Sequence, residues 1–178
     1  MDSINQQQEE ENFKTLQGDE AIEKIKELAG KASCFFCTNI TNKKPFPTRP
    51  MAVQKIDDDG TLWFLSATDS HKNKEIEADP YVQLLFQGSS YSDFLNLYGK
   101  ATISEDKEKI KELWEPILKT WFTGGVDDPR ISVIKIDPEE GYYWDTKHNM
   151  AIGLIKRVTG AILGKTMDDS IEGDLKVL

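Results

Sequence analysis

Cysteine and histidine are scarce in this chain of 178 residues, which contains two of each. Cys34 and Cys37 lie in an apolar run, and no second cysteine pair or histidine cluster completes a zinc site. On a strand, residues three apart point to opposite faces, so the two sulfur atoms are not expected to meet. We therefore expect buried thiols and no metal site. His71 and His148 fit no nucleophilic arrangement, so no catalytic residue is assigned.

Long apolar runs are also absent. None approaches the length of about 18 residues that spans a bilayer, and residues 1–11 are polar and acidic, without the apolar centre of a secretory signal. We expect a cytoplasmic protein with no membrane contact. A helix expected over 150–163 carries an apolar stripe opposite Lys156 and Arg157. Such helices can lie on membranes, but in an acidic protein they more often cover a sheet edge or a dimer interface.

Basic charge is in deficit, with 22 lysines and arginines against 31 acidic residues and a net charge of -9. This balance argues against a nucleic-acid partner. The acidity is concentrated at the ends, because residues 1–20 hold one lysine against six acids and residues 165–178 hold two against four. We therefore expect a disordered acidic tail over 1–17, a single domain over 18–165 that includes the helix 150–163, and an acidic tail over 166–178.

Hydrophobic periodicity predicts a mainly β protein with peripheral helices. Helices are expected from Asp19 to Gly30, from Ser70 to Ala78 and from Ser104, with a kink or restart at Pro116. Strands are expected at 33–40, 48–56, 61–66, 81–87, 94–103, 131–136 and 142–145. Because strands and helices do not alternate, a doubly wound parallel sheet is disfavoured. An antiparallel barrel with peripheral helices fits better.

Cationic and hydroxyl side chains flank two of these strands. Arg49 begins one strand, and Ser70 and Lys72 follow another at the start of a helix. A helix start presents free N–H groups and the positive end of the helix dipole, which favours a phosphate. The pattern predicts a cradle for a phosphorylated aromatic cofactor.

Six short motifs occur in an order that resembles the general stress proteins of the pyridoxamine-phosphate-oxidase-like group. They are Arg49-Pro50-Met51, Leu62-Trp63-Phe64, Ser70-x-Lys72, Asp79-Pro80-x-Val82, Tyr98-Gly99-Lys100-Ala101 and Tyr143-Trp144. The similarity spans about residues 20–146. It implies a six-stranded antiparallel split β-barrel of the FMN-binding type, and a homodimer with flavin mononucleotide (FMN) at the subunit interface.

The resemblance also implies which residues contact the cofactor. One strand, containing Arg49, Pro50, Met51 and Ala52, would run along the flavin edge. Another, containing Phe64, Leu65 and Ser66, would lie on the other side of the ring. The phosphate would be held around Ser70, His71 and Lys72, and Trp121 and Phe122 would approach the flavin of the partner subunit.

Three functions follow from the resemblance. The first is an FMN-dependent oxidoreductase of unknown substrate, and the second is a stress protein that binds or sequesters flavin without turnover. The third is a barrel-shaped interaction protein without a cofactor. Another flavin or a deazaflavin could replace FMN. Genuine pyridoxamine 5'-phosphate oxidase activity is not implied, because the chain lacks the basic, histidine-containing segment that follows the last strand in that enzyme.

Overall fold

The computed structural model describes residues 11–90, 92–147 and 169–177, and this part of the chain forms one sheet with three helices around it. The strands are β1 Leu16–Gln17, β2 Ser33–Cys37, β3 Thr48–Met51, β4 Lys55–Ile56, β5 Leu62–Ala67, β6 Tyr81–Gln87, β7 Phe94–Ser104, β8 Ile131–Thr146 and β9 Ser170–Lys176. The helices are α1 Asp19–Ala29, α2 His71–Ala78 and α3 Lys107–Leu113, and short 3-10 turns occupy Pro116–Thr120 and Gly125–Asp127. None of these helices is long and apolar enough to cross a membrane.

The strands follow the order β1-β9-β8-β7-β6-β2-β3, and β5 pairs with both β8 and β4. Every pairing is antiparallel except β1 with β9. The segment 52–54 connects β3, at one edge, to β4, which pairs only with β5. The sheet therefore stays open at this break, and the expected mainly β, split-barrel fold is confirmed.

Alternation along the strands divides the sheet into a core face and an outer face. The central core contains the inward side chains of β2, β5, β6, β7 and β8, covered by α1. A second cluster lies under α3. Cys34 and Cys37 are both buried free thiols, as expected from their places on β2. Burial raises the pKa of Cys34 to about 12, so this thiol is unreactive.

Two glycines shape the sheet locally, one in the turn between β4 and β5 and one in the pairing of β7 with β8. Gly60 donates to the Asp57 carbonyl at 3.0 Å and closes the turn between β4 and β5. The pairing of β7 with β8 shifts register between Tyr98 and Gly99. A Cβ at Gly99 would overlap the backbone carbonyl of Asp137, so glycine permits this close approach.

Both ends of the domain differ from expectation. The expected tail over 166–178 is wrong for Ser170–Lys176, which forms β9 along β8. The expected disorder over 1–17 is wrong for Leu16–Gln17, which pairs with β9. β1 has only two residues and β9 is rich in charged residues, yet Leu16 and Leu175 reach the core and are nearly fully buried. The predicted helix 150–163 lies outside the described residues.

Other boundaries also moved: the strand expected over 48–56 is divided into β3 and β4, and the one expected over 33–40 ends at Cys37. Residues 131–136 and 142–145, expected as two strands, belong to the single strand β8. The helix expected from Ser104 begins two residues later, because Asp106 Oδ1 accepts from the backbone N–H of Glu108 and Lys109 and caps it. A 3-10 turn restarts at Pro116, as the proline predicted. This break rotates Ile117 and Trp121 into solvent.

Candidate functional site

Lys72 is a buried cation that stands out among the described residues. It lies in the first turn of α2 and is 7% exposed. Its Nζ lies 3.1 Å from the Met51 sulfur, a weak acceptor. No carboxylate of the described residues forms an ion pair with it. Burial, assisted by the charge of Arg49, lowers the pKa of Lys72 from 10.5 to about 8.

Arg49 lies on β3 and is held by Glu75 of α2. Both terminal nitrogens of Arg49 donate to Glu75 Oε2 at 2.9 Å. The Thr38 hydroxyl donates to the same oxygen at 2.6 Å. Burial opposes ionisation of Glu75, but these hydrogen bonds and the charge of Arg49 lower its pKa overall. Each terminal nitrogen of Arg49 keeps a second N–H group for another acceptor.

A network of neutral side chains fixes the start of α2. Ser70 Oγ accepts from the Asn73 backbone N–H at 3.2 Å and caps the helix. Ser66 Oγ donates to Asn73 Oδ1 at 2.8 Å, and Asn73 Nδ2 donates to Ser132 Oγ at 2.8 Å. These buried bonds connect β5, α2 and β8. Since the N–H groups of the first turn have no acceptor within the helix, the start of α2 favours an anion.

An open cleft of about 740 Å³ lies beside the break between β3 and β4. Its wall consists of Ala29, Gly30, Ala32, Ser33, Cys34, Pro50, Met51, Ala52, Val53, Gln54, Lys55, Ile56 and Trp121. Gln54 Nε2 donates to the Ala52 carbonyl at 3.1 Å, which fixes the orientation of the amide. Gln54 Oε1 is buried and has no hydrogen-bond partner within the described ranges. The cleft is mainly apolar, with Gln54 among the polar residues of its wall.

The structure brings part of the predicted site together. Arg49 and Met51 share the face of β3 that lies towards Lys72. The cleft is lined by Pro50, Met51 and Ala52. Met51 therefore borders both the cleft and the anion pocket, the space beside Lys72 and Arg49. Trp121 is also at the cleft wall and is 64% exposed.

Other predicted residues lie elsewhere. The Phe64 side chain packs edge-on against Phe36 in the central core, and Leu65 and Phe122 lie in the second cluster. None of these three side chains lines the cleft. The hydroxyls of Ser66 and Ser70 are engaged in the network around Asn73. His71 is exposed on the surface of α2.

Sequence reasoning missed Glu75, Asn73 and Gln54. Glu75 follows Lys72 by three residues, and its charge is complementary to that of Arg49, but only the packing of α2 against β3 shows that the two meet. Asn73 comes three residues after Ser70, and a serine that caps a helix accepts from the backbone N–H at that position. This spacing was a signal that the sequence offered. Nothing in the sequence indicated that the Gln54 carbonyl oxygen would lack a partner.

Comparison with known families gives a match over most of the chain. Residues 20–168 match the family model described as pyridoxamine 5'-phosphate oxidase like. General stress protein 26 of Bacillus subtilis (strain 168) is 31% identical over 83 residues, which are 45% of this chain and 59% of that protein. Protein bli-3 of Neurospora crassa is 28% identical over 127 residues, covering 66% of this chain. The chain spans 61% of the length of bli-3, so each relative is considerably longer than its matched part.

Solved structures share the fold. A general stress protein 26 from Bacillus anthracis str. Sterne has a TM-score of 0.60 and 27% identity, over 68% of this chain and 92% of that chain. One from Jannaschia sp. CCS1 has a TM-score of 0.72 and 24% identity, over 86% of this chain and 96% of that chain. The general stress FMN/FAD binding protein of Xanthomonas citri has a TM-score of 0.57 at 20% identity, over 68% of this chain and 84% of that chain.

Proposed function

The chain belongs to the pyridoxamine 5'-phosphate oxidase-like family, and we propose that it binds FMN, with the phosphate at Lys72 and Arg49 and the ring in the adjoining cleft. One observation carries this proposal. Lys72 holds a buried ammonium against the Met51 sulfur and has no ion pair to a carboxylate in the described residues. A buried unpaired charge is costly, so its presence favours an anionic ligand.

The phosphate half of the ligand suits the groups around Lys72. The Lys72 ammonium would supply a point charge, and Arg49 would donate from the N–H groups that Glu75 leaves free. The free N–H groups at the start of α2 would add further donors. Charged hydrogen bonds contribute about 1.5–3 kcal/mol each, so these groups account for part of a micromolar affinity of about 8 kcal/mol. Burial of the ring must contribute the rest.

The ring half suits the cleft. Met51 and Ala52 offer an apolar edge, and Gln54 lines the same cleft. Among the proteins that share the fold, the one from Xanthomonas citri is named as an FMN/FAD binding protein. FAD, another flavin or a deazaflavin therefore remains a competing ligand, to be compared with FMN in the same titration.

We propose that the protein is a flavin-dependent oxidoreductase whose substrate is unknown. A bound flavin supplies electron transfer, while the protein orients it and controls access. The open cleft favours this function, since it leaves space for a second reactant beside Pro50 and Trp121. Anaerobic addition of a nicotinamide cofactor to the FMN-loaded protein should bleach the flavin absorbance. An unbleached flavin with every donor tried would favour the alternative, a flavin-binding or flavin-sequestering stress protein without turnover.

A homodimer is part of the proposal. Ile117 and Trp121 are 63% and 64% exposed, and Phe35 is 42% exposed on the outer face of β2. Aromatic side chains are enriched at protein–protein interfaces relative to the rest of the surface. Trp121 lies at the cleft wall, so a subunit that covers it would also border the ligand. Light scattering should give the mass of two chains, and one chain at all concentrations would contradict the dimer.

Replacement of the two cations tests the phosphate site. Arg49→Ala with Lys72→Ala should weaken FMN binding by about tenfold or more, because two charged contacts are lost. Lys43→Ala with Lys74→Ala is the matched control, since both lysines are exposed and Lys74 is on the same helix. Circular dichroism would verify that both double variants fold. Unchanged FMN affinity in the folded Arg49/Lys72 variant would refute the assignment.

A further inference from the structure

A thioether occupies the place beside Lys72 where a carboxylate would normally be expected. Met51 Sδ lies 3.1 Å from Lys72 Nζ, and sulfur is a weak hydrogen-bond acceptor. Arg49 and Glu75, the other charged groups at this point, are paired with each other. The contact with Met51 therefore leaves the ammonium charge available to a ligand.

Met51 is also reachable from solvent. Its side chain is partly exposed and lines the open cleft. The sequence has four methionines, and the other three are Met1, Met150 and Met167. Both cysteines are buried and the pKa of each is raised by burial, which suppresses the thiolates that peroxide attacks. Among the described residues, Met51 is the sulfur-bearing residue that is not buried.

Oxidation would change the chemistry of this contact. Hydrogen peroxide transfers one oxygen atom to the thioether, so the O–O bond breaks, an S–O bond forms and water leaves. The thioether is oxidised and the peroxide is reduced, and no other reactant is required. The sulfoxide oxygen, bonded to the Met51 sulfur, is a strong hydrogen-bond acceptor. It can accept a hydrogen bond from the Lys72 ammonium.

We propose that Met51 is an oxidation site that regulates the anion pocket: its sulfoxide would engage Lys72 and weaken the binding of phosphate-bearing ligands. The modification is reversible, because methionine sulfoxide reductases restore the thioether. The effect on FMN rests on the proposed function, whereas the engagement of Lys72 does not. The two parts are therefore measured separately.

The first measurement follows Lys72 without any flavin. The pKa of its side chain would be measured by ¹⁵N NMR before and after peroxide treatment, with peptide mass spectrometry to show one added oxygen on Met51. The pKa should rise on oxidation, since the sulfoxide oxygen stabilises the ammonium form. Met51→Leu should show no such change, although its other methionines are still oxidised. An unoxidised Met51 or an unchanged Lys72 pKa would overturn the proposal.

The second measurement is FMN affinity before and after the same treatment. The protein with oxidised Met51 should lose about fivefold or more in affinity, and treatment with methionine sulfoxide reductases should restore it. The Met51→Leu variant should keep its own starting affinity through peroxide treatment. Equal affinities of the reduced and oxidised protein would refute the regulatory role. Failure of the untreated protein to bind FMN would instead refute the proposed function, and the NMR result would still decide the Lys72 contact.

Discussion

Arg49 and Glu75 join a strand to a helix through one carboxylate oxygen, which accepts from both terminal nitrogens of the arginine at 2.9 Å. The same oxygen accepts from the hydroxyl of Thr38, which is fully buried. Glu75 therefore fixes the position of Arg49 relative to Lys72, one turn earlier on α2. One anion thus orients Arg49, whereas Lys72 has no carboxylate partner among the described residues.

Glu75→Gln should destabilise the protein by roughly 1–2 kcal/mol at neutral pH, because charged hydrogen bonds become neutral ones. The pKa of Glu75 is lowered in the folded state, so its stabilisation is present above the ordinary value of 4.5 and is lost as the pH falls below it. The difference between wild type and variant should accordingly shrink in acid. Urea denaturation at several pH values would measure it. Glu77→Gln, at an exposed site on α2, is the control.

Lys72→Met should stabilise the ligand-free protein at neutral pH by roughly 1–3 kcal/mol, since it removes a buried charge. The pKa of Lys72 is lowered to about 8 from 10.5, so folding is penalised below pH 8 and the penalty is relieved as the pH rises towards 10.5. The advantage of the variant should therefore disappear at alkaline pH. Thermal unfolding at pH 7 and pH 10 measures this, with exposed Lys74→Met as the control. An equally stable Lys72→Met at pH 7 would show that the ammonium is not penalised.

FMN affinity should decrease as the pH rises above about 8, because only the ammonium form of Lys72 attracts the phosphate. The phosphate itself is already doubly charged there, since its second pKa is about 6. Bound phosphate stabilises the ammonium, so the midpoint in the complex should lie above that of the free protein. Riboflavin, which lacks the phosphate, is the control and should show no such dependence. Parallel pH profiles for both ligands would contradict a role for Lys72.

Leu175→Ala should destabilise the protein by about 2–5 kcal/mol, the usual cost of truncating a buried leucine. Leu175 is fully buried, on a strand that pairs with β8 on one side and with β1 on the other. Asp174→Ala, at an exposed neighbouring position, should have little effect. Denaturant unfolding compares the two variants. Similar small losses for both would mean that β9 contributes little to the core.

The sequence predicted those parts of the fold that local signals encode. The strands with alternating apolar residues, such as 81–87, and the helix start at Ser70 lie where expected. The strand β9 was missed because it reads Ser-Ile-Glu-Gly-Asp-Leu-Lys, and two acids and a glycine outweigh its few apolar positions. Its partner β1 has only two residues. Both strands depend on pairing with β8, which is tertiary information.

The site was predictable to a similar degree. Arg49 and Lys72 could be identified from residue type, strand ends and the helix start. Their partners could not, because Glu75 and Met51 meet them only after β3 folds against α2. Phe64 illustrates the converse problem. The resemblance placed Phe64 beside the flavin ring, but its side chain packs against Phe36 in the core.

The most direct test is equilibrium titration of the purified protein with FMN, followed by flavin fluorescence, with riboflavin titrated in parallel. We predict saturable quenching at one FMN per chain, and at least about tenfold weaker binding of riboflavin, because Lys72 and Arg49 contact the phosphate. Absence of saturable binding would contradict the account and would favour a cofactor-free interaction protein. Equal affinity for the two flavins would contradict the placement of the phosphate.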